Sequence, residues 1–586
     1  MHYRYTHSVT QATTGYFTCE PDPPLALADM LARLEATPWD DFLHRAALAA
    51  LCAQSVDDIR REAEDVRAAR TPDTQPGDSP WHIRLALTQE CACVIPELAG
   101  LFDPALARLA LPATPLPYLA NALAPDAALH RRWSAVFLAN IRDHHTLPHP
   151  AELADGEADR HSPDALPPLY DDATLARLAP VVDAPHIREI HAEMQRHPAP
   201  GWQRPPAADT ARDALEALVD AGILAGREMR HEASLSPIAL LRPWHVRLVV
   251  RNGRLNYTLD GEANTYGRGL SLPAARASCA MEMVERAAAY AGVDGLDITG
   301  TATPLTLTHG TRSELEARGL RVLDPNTLPL DAPYADAPLH WLPASEARSG
   351  AEARAATVWV PAQFVYLFCN LDEISLSLAP GSTGLATGNT LDEAKQAALT
   401  EIIERDAEAT IPYDRRRCFA LRSREPRLQA LLDDYAARGI QVQCMDITPE
   451  FGVPCYQCFV MDARGQVCRA SGAGLDGARA LLAALTEVPY PYPNGPASGP
   501  ALRGLPVREL ESLPCYTLEA PARNVELLER VLTAHGRRPL YVELTRADVP
   551  FPVVRALVPG LALNAEPDTF ARIPPRLYRN YRRMFA

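Results

Sequence analysis

Through about the first 240 residues, apolar side chains return every three to four positions. Residues 25–54 (LALADMLARLEATPWDDFLHRAALAALCAQ) and the stretch Arg131 to Ile141 show this spacing, which predicts amphipathic helices. Proline-rich and polar breaks fall near 70–81, 147–169 and 196–208, the last (RHPAPGWQRPPAAD) reading as a linker. Residues 210–232 then read as a helix, a glycine turn and an extended segment, compatible with a small winged helix or a helical hairpin. At His245 the period changes. HVRLVVRNGRLNYTLDG alternates apolar and polar positions, with Asn252-Gly253 as the hairpin turn. Strand-like runs at 357–368, 441–447, 454–463, 540–544 and 552–560 follow, alternating with amphipathic helices. The expected architecture is an α+β (mixed α/β) catalytic domain built of pseudo-symmetric strand-helix units, preceded by a mainly α-helical region. Its boundaries are 1–205 for the helical region, 206–244 for the winged-helix-like or linker segment, and 245–586 for the catalytic domain.

Composition narrows the function. A chain of 586 residues is long enough for two to four domains. Its net charge of −16 argues against a general nucleic-acid binder, because phosphate backbones are held through Lys and Arg. The most apolar stretch, Leu109 to Ala128, is interrupted by four prolines and Asp126, so no membrane span is expected. The N-terminus has no apolar signal segment, and the 12 cysteines follow no framework, so a soluble cytoplasmic protein with reduced thiols is expected. Lys395 is the one lysine among 57 basic residues, so an Arg standing where Lys is usual carries little weight.

The sharpest signal is internal. Ser271-Leu-Pro-Ala-Ala-Arg leads into Ser278, Glu282, Glu285 and Arg286, and Thr390-Leu-Asp-Glu-Ala-Lys leads into Glu401, Glu404 and Arg405 at the same offsets. Two copies 119 positions apart indicate a duplicated unit. A third, decayed copy runs from Asp476 to Glu487, before the prolines at 489, 491 and 493. On a helix the acids of each copy fall within an arc of roughly 100°. Carboxylates stacked on one face suit Mg²⁺, which binds through carboxylates and substrate phosphates, while the arginines can hold phosphate oxygens. A solvated helix face with a capping box at Thr390 and Glu393 is the plainer alternative. The glycine-rich run Gly381 to Asn389 opens onto the second helix, where backbone N–H groups can meet an anion.

At these residues the chain resembles the YcaO family. Ser278, Glu282, Glu285 and Arg286 match its first motif, and Ser382 to Asn389 with Glu393, Glu401, Glu404 and Arg405 resemble its second. In residues 542–560, Arg555 takes the place of a family arginine near the nucleotide, and Arg268 in Gly267-Arg-Gly269 stands where the family has a lysine. The resemblance covers roughly 245–570. It implies ATP and Mg²⁺ as cofactors, with Glu282, Glu285, Glu401 and Glu404 carrying the metal. Arg268, Ser278, Arg286, Asn389, Glu393, Arg405 and Arg555 would contact ATP. It further implies O-phosphorylation of a peptide backbone amide and attack by a nucleophile. A peptide side chain gives an azoline, sulfide a thioamide and an amine an amidine. The expected partners are a peptide or protein substrate and a sulfur-delivering protein of the TfuA type, with homodimerisation left open.

Two departures bear on the reaction. Azoline-forming members commonly end in Pro-x-Pro-x-Pro, whereas this chain ends RIPPRLYRNYRRMFA, which favours thioamide formation or another modification. Glu487 is followed by VPYPYPNGP where the family's third helix continues, which removes support for a role there. A non-catalytic YcaO-fold scaffold is the rival reading, opposed by the full set of motif acids and arginines. An activator of a free carboxylate is a third. Cys455 and Cys458 are expected to be buried structural thiols, Cys91 and Cys93 ordinary thiols, and His144, His145 and His149 a surface cluster.

Overall fold

The computed structural model describes residues 1–8, 16–69, 79–150, 166–197, 201–348, 356–367, 369–378, 381–562 and 570–586. The polar breaks expected near 70–81 and 147–169 fall largely outside these. Three sheets organise the molecule. The largest is centred on the antiparallel hairpin Ile238–Asn252 and Leu255–Gly269. Asn252 pairs with Leu255, so the two-residue turn is Gly253-Arg254, one position on from expectation, with Gly253 at φ 61°. A second sheet orders Thr357–Pro361, Leu339–Glu346, Leu540–Glu543, Val553–Leu557 and Leu385–Thr387. The third orders Val467–Ala473, Cys455–Met461, Gln443–Asp446, Cys418–Arg422 and Val507–Glu509.

The first 205 residues are rich in helices, among them Leu27–Leu34, Asp41–Cys52, Pro80–Val94 and Ala127–Asp143. They also hold two strands that the helical periodicity hid. His2–Ser8 pairs in parallel with Leu255–Gly269, from His2 against Thr258 to Tyr5 against Gly261, and in antiparallel with Tyr16–Pro21. Tyr3 and Tyr5 are buried in a core that also takes in Leu43, Leu87, Trp244, Met283 and Val284. One apolar core therefore spans the N-terminal region and the first carboxylate helix. Between 206 and 244 the chain forms one helix, Ala207–Asp220, a short strand, Met229–Arg230, and the start of the central hairpin. Neither a second helix nor a separate wing forms, because the extended half of this segment is drawn into the large sheet.

The duplicated unit is real, and it has three copies. In each, a strand ends, two or three residues follow, and a capped helix packs back on the strand. The helices are Leu272–Ala288, Leu391–Thr410 and Gly477–Glu487. Their caps, Ser271, Thr390 and Asp476, each accept a hydrogen bond from a backbone N–H of the first turn. Glu282, Glu401 and Glu487 stand at the same offset, eleven residues past these caps. The third helix stops there because Val488 precedes a proline, which disfavours helical backbone, so no second glutamate and no arginine follow.

Candidate nucleotide and metal site

The first two helices present their acids towards one another. Glu285 feels the charges of Glu401, Glu282, Arg286 and Arg555, and Glu401 those of Arg405, Arg286 and Arg555. Three of the motif glutamates are anchored in the same way, by one backbone N–H on one carboxylate oxygen. Tyr266 N donates to Glu282 at 2.9 Å, Gly384 N to Glu401 at 3.0 Å and Ala473 N to Glu404 at 3.1 Å. The other oxygens of two of them face arginines at longer range, with Glu282 3.6 Å from Arg286 and Glu404 3.7 Å from Arg405. Gly384 makes its contact possible: its φ is +82°, and a Cβ there would lie 2.4 Å from the Ala556 carbonyl oxygen.

Electrostatics show what the arrangement lacks. Burial, reinforced by neighbouring carboxylates, lifts the Glu285 and Glu404 carboxyls well above the usual range. Burial also raises Glu401, against the pull of Arg405 and Arg286. Burial lowers Arg555 to about 10, with Glu401 and Glu285 opposing it. Burial works against the charge of Arg286 and Arg405 too, but the surrounding glutamates outweigh it and hold both guanidinium groups more firmly protonated. The side chains of Glu282, Glu285 and Glu404 are 29%, 16% and 15% exposed, so solvent still reaches the acids.

Arg555 is 2% exposed; its Nη2 donates to the Gly381 carbonyl at 2.8 Å, while its Nε and Nη1 have no hydrogen-bond partner among the described residues. Buried donors left open beside a run of acids fit a bound phosphate with its cation. Among the described residues, no group of three or more His, Cys, Asp or Glu forms a ready-made metal cage. Mg²⁺ does not need one, since it keeps waters and takes one or two carboxylates together with substrate phosphates.

Around this centre the remaining expected residues fall at different distances. Asn389 donates to Glu393 from its backbone N at 2.8 Å and from Nδ2 at 2.9 Å, and accepts from Thr210 Oγ1 at 3.0 Å. Glu393 also pairs with Arg204 at 3.0 Å. Ser278 is exposed, one turn before Glu282. Arg268 pairs at 3.1 Å with Glu487, which in turn raises Glu404 by its charge. Sequence reasoning removed Glu487 from consideration, yet the fold returns it to the site; its offset from Asp476 was the available signal. Glu408, 5% exposed and 2.8 Å from Arg405, was missed altogether, as were Arg204 and Thr210, which carry no motif.

Of the weaker candidates, Cys455 lies near the site, where Glu404 adds to the effect of burial in raising its thiol. Cys455 and Cys458 are fully buried, Cys91 and Cys93 lie on a helix, and His144 stacks on Tyr413 at 4.0 Å. Among the described residues, no helix is long and apolar enough to cross a membrane.

Comparison with known proteins agrees with this geometry. Residues 266–490 match a family model described as YcaO cyclodehydratase, ATP- and Mg²⁺-binding. An uncharacterized protein of Methanothermobacter thermautotrophicus (strain Delta H) is 29% identical over 362 residues, covering 55% of this chain and 86% of that one. A second relative, described as lying in the tfuA 3′ region of Rhizobium leguminosarum bv. trifolii, is 28% identical over 238 residues, covering 38% of this chain and 53% of its own length. Two solved structures are similar at lower levels. A heterocyclase in complex with substrate and cofactor has TM-score 0.47 and 18% identity, over 66% of this chain and 58% of that one. The YcaO of Methanopyrus kandleri bound with AMPPCP and Mg²⁺ has TM-score 0.42 and 21% identity, over 61% and 91%. The chain thus spans less than two thirds of the Rhizobium relative and of the heterocyclase. Between residues 266 and 490 the chain matches the YcaO model, and this segment contains the helices that hold its paired glutamates and arginines.

Proposed function

We propose that the protein activates a peptide backbone amide at the expense of ATP, with Mg²⁺, and that sulfide is the nucleophile, giving a thioamide. The observation that carries the activation is the pairing of two carboxylate helices around Arg286, Arg405 and the open donors of Arg555. Bound ATP would supply the phosphoryl group that turns the amide oxygen into a leaving group. Glu282, Glu401 and Glu404 would hold Mg²⁺ through the oxygens left free by their backbone anchors, together with the carboxylate of Glu285. Arg286, Arg405 and Arg555 would take phosphate oxygens and neutralise charge as it moves towards the bridging oxygen. Asn389, Glu393, Ser278 and Arg268 would border the nucleotide. The protein's share of the catalysis is positioning and charge neutralisation.

Support for sulfide comes from the Rhizobium relative. A relative from a tfuA region is consistent with a TfuA-type sulfur-delivering partner. The test is to incubate the full chain with a peptide library, ATP, Mg²⁺ and sulfide and read masses. A mass gain matching replacement of oxygen by sulfur, with ADP and phosphate released, supports thioamidation. Loss of water shows azoline formation and corrects the nucleophile. Phosphate release with neither product contradicts amide modification.

A further inference from the structure

The helix carrying Glu401, Glu404 and Arg405 runs nearly a turn further than its counterpart, to Thr410. Counted from the caps, Asp406 and Glu408 stand where the first unit has Ala287 and Ala289. Asp406 is 0% exposed, and its carboxylate accepts from Arg576 Nη1 at 2.6 and 2.7 Å and from Ala562 N at 3.0 Å. Arg576 belongs to the C-terminal helix Pro575–Met584 and is itself 5% exposed. Its Nε donates to Glu450 at 3.1 Å, Arg579 donates to the same carboxylate, and its guanidinium lies 5.1 Å over the Phe451 ring. One turn on, Asn580 donates to the Thr410 carbonyl at 2.8 Å. The tail therefore grips the motif helix at both ends of its last turn.

A buried ion pair contributes little net stability, because desolvation offsets most of its attraction; what it fixes is geometry. Here it fixes the residue next to Arg405. We propose that Asp406, Arg576 and Asn580 are positioning residues: the C-terminal helix sets the placement and rotation of the second motif helix, and so aims Glu401, Glu404 and Arg405. This rests on the Mg²⁺ and ATP reading above. It gives the basic, aromatic tail a task outside the cleft.

Two readouts on the full-length chain test it: a Mg²⁺ titration of ATP binding by calorimetry, and hydrogen exchange of residues 402–410 without nucleotide. An apolar replacement of the pair, Asp406→Leu with Arg576→Met, removes the charge cost together with the geometry. It is expected to melt close to the wild type, to exchange faster over 402–410, and to need about 10–100-fold more Mg²⁺, as loss of a partner behind a metal ligand does. Wild-type exchange and Mg²⁺ requirement at wild-type stability would overturn the proposal. Should the double variant not fold, Arg576→Lys decides: it keeps the charge without the fork, and an unchanged Mg²⁺ requirement overturns the proposal, while a raised one at similar stability supports it. If the wild type binds no ATP, the amide-activation reading falls, and exchange over 402–410 alone decides the positioning role.

Discussion

The two motif helices carry the same acids at the same offsets, yet the protein holds them in place by different means. The first is placed by close packing. It lies on its own hairpin and against Ala207–Asp220, and a Cβ at Gly267 would sit 2.1 Å from the Ala275 carbonyl oxygen. The second has Ala386 at the place of Gly267, and its close approach falls two residues later, where a Cβ at Gly388 would sit 2.6 Å from the Ala394 N. It is secured by charge, with Asp406 held by Arg576 and Glu408 by Arg405. The lesson is that one local sequence pattern fixes which residues face a cleft, while distant segments fix where that face points. For the first helix these are the apolar neighbours in the large core; for the second they are a separate apolar core with Leu527, Leu528 and Val531, and in addition the C-terminal helix and Asn140, which exchanges hydrogen bonds with Tyr413 at 2.9 and 3.2 Å.

The largest expected effect tests whether the helices are equal partners in chemistry. Arg286→Ala and Arg405→Ala should each lower ATP-dependent turnover by about 10³-fold, the scale of losing an arginine that stabilises a transferring phosphoryl group. A loss from only one of them breaks the symmetry. Next come the two modes of support. Arg576→Ala leaves Asp406 buried and unpaired and should lower stability to urea by about 3–5 kcal/mol. Its counterpart, Ala287→Asp, puts a carboxylate into a packed site without a partner, and should destabilise by about 1–3 kcal/mol or more. Gly267→Ala should cost about 1–3 kcal/mol through overpacking, against about 0.5–1 for Ala386→Gly, both read from urea midpoints. Equal costs would show that the two helices sit alike on their strands.

The smallest effect is in the pH dependence of metal stabilisation. Glu285, Glu401 and Glu404 have carboxyls raised by burial in the folded protein, so above the ordinary carboxylate range the unfolded chain has released protons that the folded one keeps. Their contribution therefore favours the folded protein at low pH and is lost as pH rises. Mg²⁺ must displace those protons, so the rise in melting temperature with added Mg²⁺ should grow from mildly acidic to mildly alkaline pH. A flat or falling increment would mean that these acids do not hold the ion.

How much was legible beforehand follows from the same physics. The glutamates, arginines and caps repeat at fixed offsets, so they could be read from the chain, and the change of period at His245 marks where the main hairpin's exposed half begins. The place of the strand His2–Ser8 in the large sheet could not, because its parallel partner there is some 250 residues away and only pairing reveals it. Glu487 was discounted for the prolines after it, but those prolines end the helix at the very residue that meets Arg268. Asp406 and Glu408 look like ordinary helix-surface acids in the sequence; only the fold shows them to be buried, Asp406 by the C-terminal helix and Glu408 beside Arg405 and Ser471.

The central claim is that two helices jointly form one Mg²⁺–ATP site. The most direct test is calorimetry of ATP with Mg²⁺ on the wild type, Glu282→Ala, Glu404→Ala and the double variant. Saturable wild-type binding, weakened by either single change and lost in the double variant while all remain folded, is the predicted result. Wild-type affinity retained in the folded double variant would contradict it.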